Sequence, residues 1–289
     1  SYFLGTNESA VISAHNNEAA VCATGSGTAQ TNPLCPNGTQ IDSFFSATNY
    51  VGAFAPGSDE DNNWAAGWTT GLFTPPECPS GTVETGSIEG KKVCTLNGTY
   101  TTDVTLQRGN YYALDGKIQI GNDMGSDGTK AGGASATLTI EAGVTVFGDS
   151  GSDYLVVMRG SKINAIGTKS APIIMTARAD ITGQVNPSSR GLWGGLVILG
   201  KAQLNKCSFV NSVRTLPCER VVEGSAGDYM GGEINDDNSG TLKYLRVQYA
   251  GYEIFEGNEL NGITFGGVGT GTTVEYIQVH NNEDDCVEF

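Results

Sequence analysis

With 289 residues, 31 Asp and Glu against 16 Lys and Arg, and a net charge of −15, the chain presents an acidic surface. That balance argues against nucleic acid and anionic membranes as partners, since both demand basic surface. No run approaches the roughly 20 apolar residues of a membrane span, and the charge favours calcium, cationic partners or solubility at high salt.

Residues 1–76 differ in character from the rest. Trp64 and Trp68, two of the three Trp, fall here with Phe44, Phe45, Tyr50 and Phe54, in a polar background that includes Asp59-Glu-Asp-Asn-Asn63. A lobe this polar has a thin core, so the segment is expected to be irregular and to cap or flank a larger body. Pro75-Pro76 ends it, because proline has no place inside a central strand.

From 77 to 289 short apolar runs recur with no helix between them. Val93-Cys-Thr-Leu96, Val104-Thr-Leu106 and Lys117-Ile-Gln-Ile120 come first, and a Gly-rich stretch, 121–133, follows as a predicted loop. Runs at 138–140, 144–146, 155–158, 173–175 and 196–199 are rich in Val, Ile, Leu and Thr and are bounded by Gly, Asn, Asp or Ser, the pattern of buried strands. Excursions are predicted at 178–190 and 201–219. The last two runs are copies: Thr241-Leu-Lys-Tyr-Leu-Arg-Val247 matches Thr273-Val-Glu-Tyr-Ile-Gln-Val279. Repetition of one strand unit predicts an all-β solenoid, each coil burying its apolar side against its neighbours. Long excursions on one side of a solenoid commonly build its binding surface.

Seven cysteines add a constraint. Cys22 with Cys35, Cys78 with Cys94, and Cys207 with Cys218 each bracket one local loop, and no Cys-x-x-Cys knuckle for zinc occurs. Three local disulfides in an oxidising compartment are predicted, each contributing about 3 kcal/mol on the chain-entropy model. Cys286 is left over and is expected to be a small buried apolar residue.

Several passages resemble a group of secreted or surface β-helix proteins of Gram-negative bacteria known mainly as lipoproteins or hypothetical proteins. The residues that carry the resemblance are Leu138-Thr-Ile-Glu-Ala-Gly-Val-Thr-Val146, the stretch from Tyr154 to Gly167, Trp193-Gly-Gly-Leu-Val-Ile-Leu199, Asp236 to Val247, and Asn261-Gly-Ile-Thr-Phe265 running on to Phe289. The resemblance implies a right-handed parallel β-helix; the spacing alone implies only a β-solenoid. In such relatives a segment like Tyr50-Val-Gly-Ala-Phe54 with Trp64-Ala-Ala-Gly-Trp68 closes the C-terminus, whereas here it comes first. The chain also stops at Phe289 within what reads as a strand. Two expectations follow: a fragment or rearranged part of a longer protein, or an end covered by a second copy in a head-to-tail filament.

Acidic clusters are the main candidates for chemistry. Oxygen ligands on Gly-containing loops suit Ca2+, and the candidate ligands are Asp123 and Asp127, then Asp236 and Asp237. Asp284-Asp-Cys286 resembles an element of polygalacturonase-type glycoside hydrolases. If that likeness means a hydrolase, Asp284, Asp285 and Glu288 are the candidates from which its two catalytic carboxyl groups would come. A further Asp of that family is missing, since the corresponding stretch reads Asn258-Glu-Leu-Asn261. A polysaccharide lyase would pair calcium with a Lys or Arg base, for which Lys162, Arg159 and Arg246 are candidates, although outward Arg and Lys ordinarily only solvate a strand. Tyr244, Tyr249, Tyr252, Phe255, Phe265 and Tyr276 form an aromatic ladder, read first as packing between coils.

The sequence therefore predicts an exported or cell-surface β-helix with a structural or adhesive role, able to self-associate or bind glycans, with calcium and no organic cofactor. A carbohydrate-active enzyme or a calcium-dependent glycan-binding module on the same scaffold is the alternative.

Overall fold

The computed structural model describes residues 76–289, apart from 208, 211, 212, 226 and 256. The segment 1–75, with the expected cap and the pairing of Cys22 with Cys35, lies outside the described residues.

Strands of the coils do not lie side by side in sequence order; each pairs in parallel with its counterpart in the neighbouring coil. Three ladders result. Face A stacks 93–97, 111–115, Thr145–Gly148, Ile173–Ala177, 245–248 and 277–280. Face B stacks 99–100, 117–120, Tyr154–Val157, Gly195–Leu199, Ile263–Gly266 and Val287–Glu288. Face C stacks Val104–Leu106, Thr137–Ile140, Lys162–Ile166, 240–243 and 273–275. The chain visits A, B and C in turn, giving five full coils and the first two faces of a sixth. The protein is thus the β-solenoid that the spacing implies and, more narrowly, the parallel β-helix that the resemblance implies. Among the described residues the only helix is one turn, Arg178–Ile181.

Alternation decides which side chains fill the interior. On face B, Ile118, Leu155, Leu196 and Ile263 point inward at one register, and Ile120, Val157, Ile198 and Phe265 at the next. On face C the inward column is Leu106, Ile140, Ala165 and Leu242. All of these belong to one core, whose members are almost fully buried. At about 25 cal/mol per Å2 of apolar surface this stacking is the main stabilising term.

The sequence copies turn out to be neighbours in space: Thr241 pairs with Thr273, Leu245 with Ile277 and Val247 with Val279. Their Tyr residues, Tyr244 and Tyr276, occupy the corner between faces C and A with left-handed φ of 48° and 53°. The corner has room for one residue, so that residue must take a conformation most side chains avoid. The rings stack at 4.6 Å and 6°, which offsets part of that cost.

Corners are unequal. The C-to-A corners are short, while the two edges of face B carry the excursions: 121–136 and 200–239 on one side, 178–194 and 249–262 on the other. The second excursion was expected to end at 219. It returns only at Gly240, because 218–232 forms a hairpin, Cys218–Val221 with Tyr229–Gly232, rather than the next coil. Gly240 marks the return: with φ at 113°, an added Cβ would lie 2.0 Å from the Ile163 carbonyl oxygen. The excursions also cover face B. Its outward Tyr154, Val156, Val197 and Leu199, with Met158, form a second apolar layer against Val222 and Leu260.

At the other end, Val83–Ile88 adds an antiparallel strand to Lys91–Tyr100. Cys78 is bonded to Cys94, which is buried among the core side chains, and Cys207 is bonded to Cys218, as predicted.

Truncating inward Ile198 to Ala should cost about 2–5 kcal/mol, whereas Thr139→Ala on the outward side of face C should change stability by no more than about 0.5 kcal/mol. Urea unfolding of the two variants checks this, and equal losses would contradict the assignment of inward and outward columns.

Candidate functional site

Where the excursions 121–136 and 200–239 meet at the edge of face B, they enclose a cleft of about 500 Å3. Backbone contacts fix the meeting: the Glu233 N–H donates to the Ser126 carbonyl at 3.3 Å, and the Met124 N–H to the Arg159 carbonyl at 3.1 Å. The cleft is lined by Ser126, Asp127, Thr129 and Lys130 from the first excursion, Glu219 and Tyr229 from the second, and Arg159 from the coil itself.

Arg159 follows Tyr154–Val157 in the tight turn from face B to face C, and only 2% of it is exposed. A guanidinium so buried must be paired. Its Nε and Nη2 donate to the two Asp123 oxygens at 2.7 and 2.8 Å, and its Nη1 donates to Glu219 at 2.5 Å and to the Gly231 carbonyl at 2.8 Å. One coil residue therefore holds both excursions. The Tyr229 ring lies 5.9 Å from the guanidinium carbon and stays partly exposed to the cleft.

Asp123 also receives Lys130 Nζ at 2.8 Å. Burial alone would raise its carboxyl, but the hydrogen bonds from Arg159 and Lys130 outweigh that and bring it down to about 2. Asp127 is exposed, and hydrogen bonds from the Thr129 hydroxyl and N–H hold it below the usual range. Two further carboxylates are pinned nearby: Asp228 to Lys117 at 2.6 Å, and Asp237 to Lys201 at 3.3 Å.

These contacts place the predicted residues. The structure does bring the loops of Asp123–Asp127 and Asp236–Asp237 side by side, but Arg159, Lys130 and Lys201 stand among their carboxylates, and Asp236 faces solvent. Among the described residues no three acidic, His or Cys side chains converge as metal ligands. Arg159, weighed as a lyase base or a solvating side chain, is neither. Its proton is held by two carboxylates, which raise it against the opposing pull of burial. Alternation showed that this stretch leaves the core but gave no sign of what covers it.

Asp284 and Asp285 lie exposed on the corner 281–286, and Glu288 points outward from face B, half-buried. Asn261 donates to Glu288 at 2.8 Å. Burial, and then the negative Glu223, push the Glu288 carboxyl up. Cys286 was expected to be buried; it is an exposed free thiol, because the corner turns its side chain out while its carbonyl accepts the Ile263 N–H. The aromatic ladder divides among corners and core: Tyr244 stacks on Tyr276, Tyr249 meets His280, and Phe265 stacks on Phe289. It lines no groove. A hollow of about 630 Å3 beside the last coil is walled largely by apolar side chains, among them Phe265, Val274 and Ile277.

Comparison with known proteins agrees with this architecture. Residues 98–289, well over half of the chain, match the family of pectate-lyase-like β-helix domains, and the chain belongs to that family. No curated protein and no solved structure matches it.

The Asp123 carboxylate, held well below its ordinary 3.8 at about 2, stabilises the fold above about pH 4 and loses that effect as pH falls toward 2. The contribution is on the order of 2 kcal/mol. Chemical denaturation across this window should show the loss in the native chain and a flatter profile in Asp123→Asn. Arg159→Met should cost about 3–5 kcal/mol, since it strands Glu219 and leaves Asp123 with Lys130 alone; an unchanged melting temperature would contradict the clamp.

Proposed function

We propose that this β-helix is an extracellular adhesive protein that binds glycans in the cleft over Arg159 without turning them over. One observation carries the reading: the cleft combines polar side chains with one partly free tyrosine ring, and its deepest charges are spent on one another. A sugar needs an apolar ring face to lie on and hydrogen-bonding groups around its rim. Tyr229 supplies the first; Ser126, Thr129, Asp127 and Lys130 supply the second. The two buried charges of the cleft, Arg159 and Asp123, are locked in their charged forms and so are unsuited to give or take a proton. Screening a panel of oligosaccharides should find a ligand that Tyr229→Ala weakens by about tenfold or more, ~1.4 kcal/mol, with the melting temperature unchanged. Undiminished binding by that variant would contradict the site.

A second reading is favoured by Glu288. A carboxyl pushed up by burial and by negative neighbours is suited to act as a general acid, and Asp285 is among those neighbours. The family match is compatible with carbohydrate chemistry there. If Glu288 serves in this way, the protein releases reducing ends from a polysaccharide and Glu288→Gln abolishes the release. Absence of release by the native chain would leave the binding role alone.

A further inference from the structure

The charges around the cleft are unequally available. Arg159 commits four of its five N–H groups to Asp123, Glu219 and the Gly231 carbonyl. Lys130 is bonded to Asp123, and Lys201, whose field reaches Asp127, is bridged to Asp237. Each cation has a carboxylate partner, and Lys130 alone is half exposed, with its charge already answered by Asp123. The acidic side is different. Asp127 is exposed and has only the neutral hydroxyl and N–H of Thr129 as hydrogen-bond donors, and Glu219 meets Arg159 through one oxygen. Four carboxylates, Asp123, Asp127, Glu219 and Asp237, stand against three cations, Lys130, Arg159 and Lys201, leaving one negative charge at the cleft.

We infer that the cleft selects a sugar bearing a free ammonium group, an unacetylated amino sugar, and rejects polyuronates. This rests on the glycan-binding reading. An ammonium beside Asp127 and the second Glu219 oxygen would cancel the surplus charge and supply donors that these acceptors lack. The carboxylate of a uronate would meet the same oxygens with no open guanidinium fork to receive it, and the chain's net charge of −15 opposes its approach. The fold's family takes its description from an enzyme of an acidic polymer, so the selection runs against what the family alone would suggest.

Isothermal titration of the full chain at about pH 6, where carboxylates are ionised and amines protonated, compares three probes: glucosamine oligomers, their N-acetylated counterparts, and galacturonate oligomers. The expected result is tightest binding of the amine form, by about tenfold over the acetylated form, with an advantage that shrinks as salt rises. Asp127→Asn keeps the turn and should erase that advantage, and Tyr229→Ala assigns the binding to the cleft. Equal affinity for amine and acetamide, or tighter cleft binding of galacturonate, overturns the charge selection and leaves the glycan reading standing. If no sugar binds to the folded protein, both fall.

Discussion

A buried positive charge must be answered where it lies, and Arg159 is answered from two directions. The guanidinium leaves the coil at a tight turn and draws Asp123 from one excursion and Glu219 with the Gly231 carbonyl from another. Without it, the two long insertions would meet mainly through backbone contacts such as the Glu233 N–H to the Ser126 carbonyl. With it, their relative position is fixed by four charge-assisted or carbonyl bonds, and the cleft between them acquires a floor.

The β-helix makes this arrangement possible by separating two tasks. Inward columns stack on themselves from coil to coil and need nothing from the loops, so the corners are free to carry insertions. The insertions gather on the two edges of face B, and in its two middle strands the outward side chains cease to be polar: Tyr154, Val156, Val197 and Leu199 serve as a second core. Face C, whose outward column runs through Thr105, Thr139, Asn164, Thr241 and Thr273, shows the default state of a face without excursions over it.

The legible parts of the sequence were those decided by local or periodic constraints. The copies at 241–247 and 273–279 read as one unit because adjacent coils impose the same inward, outward and corner positions on both. The pairs Cys78–Cys94 and Cys207–Cys218 read correctly because each closes a short loop. What was not legible depends on partners distant in sequence. Residues 220–239 look no different from coil, yet Val222 packs on a layer built from Tyr154 to Leu199. Arg159 has the flanks of an ordinary outward residue, and its partners, Asp123, Glu219 and the Gly231 carbonyl, lie 36 to 72 positions away. Cys286 carries the composition of a buried residue but sits on a corner whose neighbours, Asp284 and Asp285, face water.

The account's central claim is that ligand recognition takes place over Arg159, between the two excursions, rather than at the acidic corner near Glu288. The direct measurement is a chemical-shift map of the isotopically labelled protein titrated with a bound oligosaccharide. The account predicts shifts concentrated at 125–130, Glu219 and Tyr229. Shifts concentrated at 281–288, with the cleft silent, would contradict it and move recognition to the Glu288 corner.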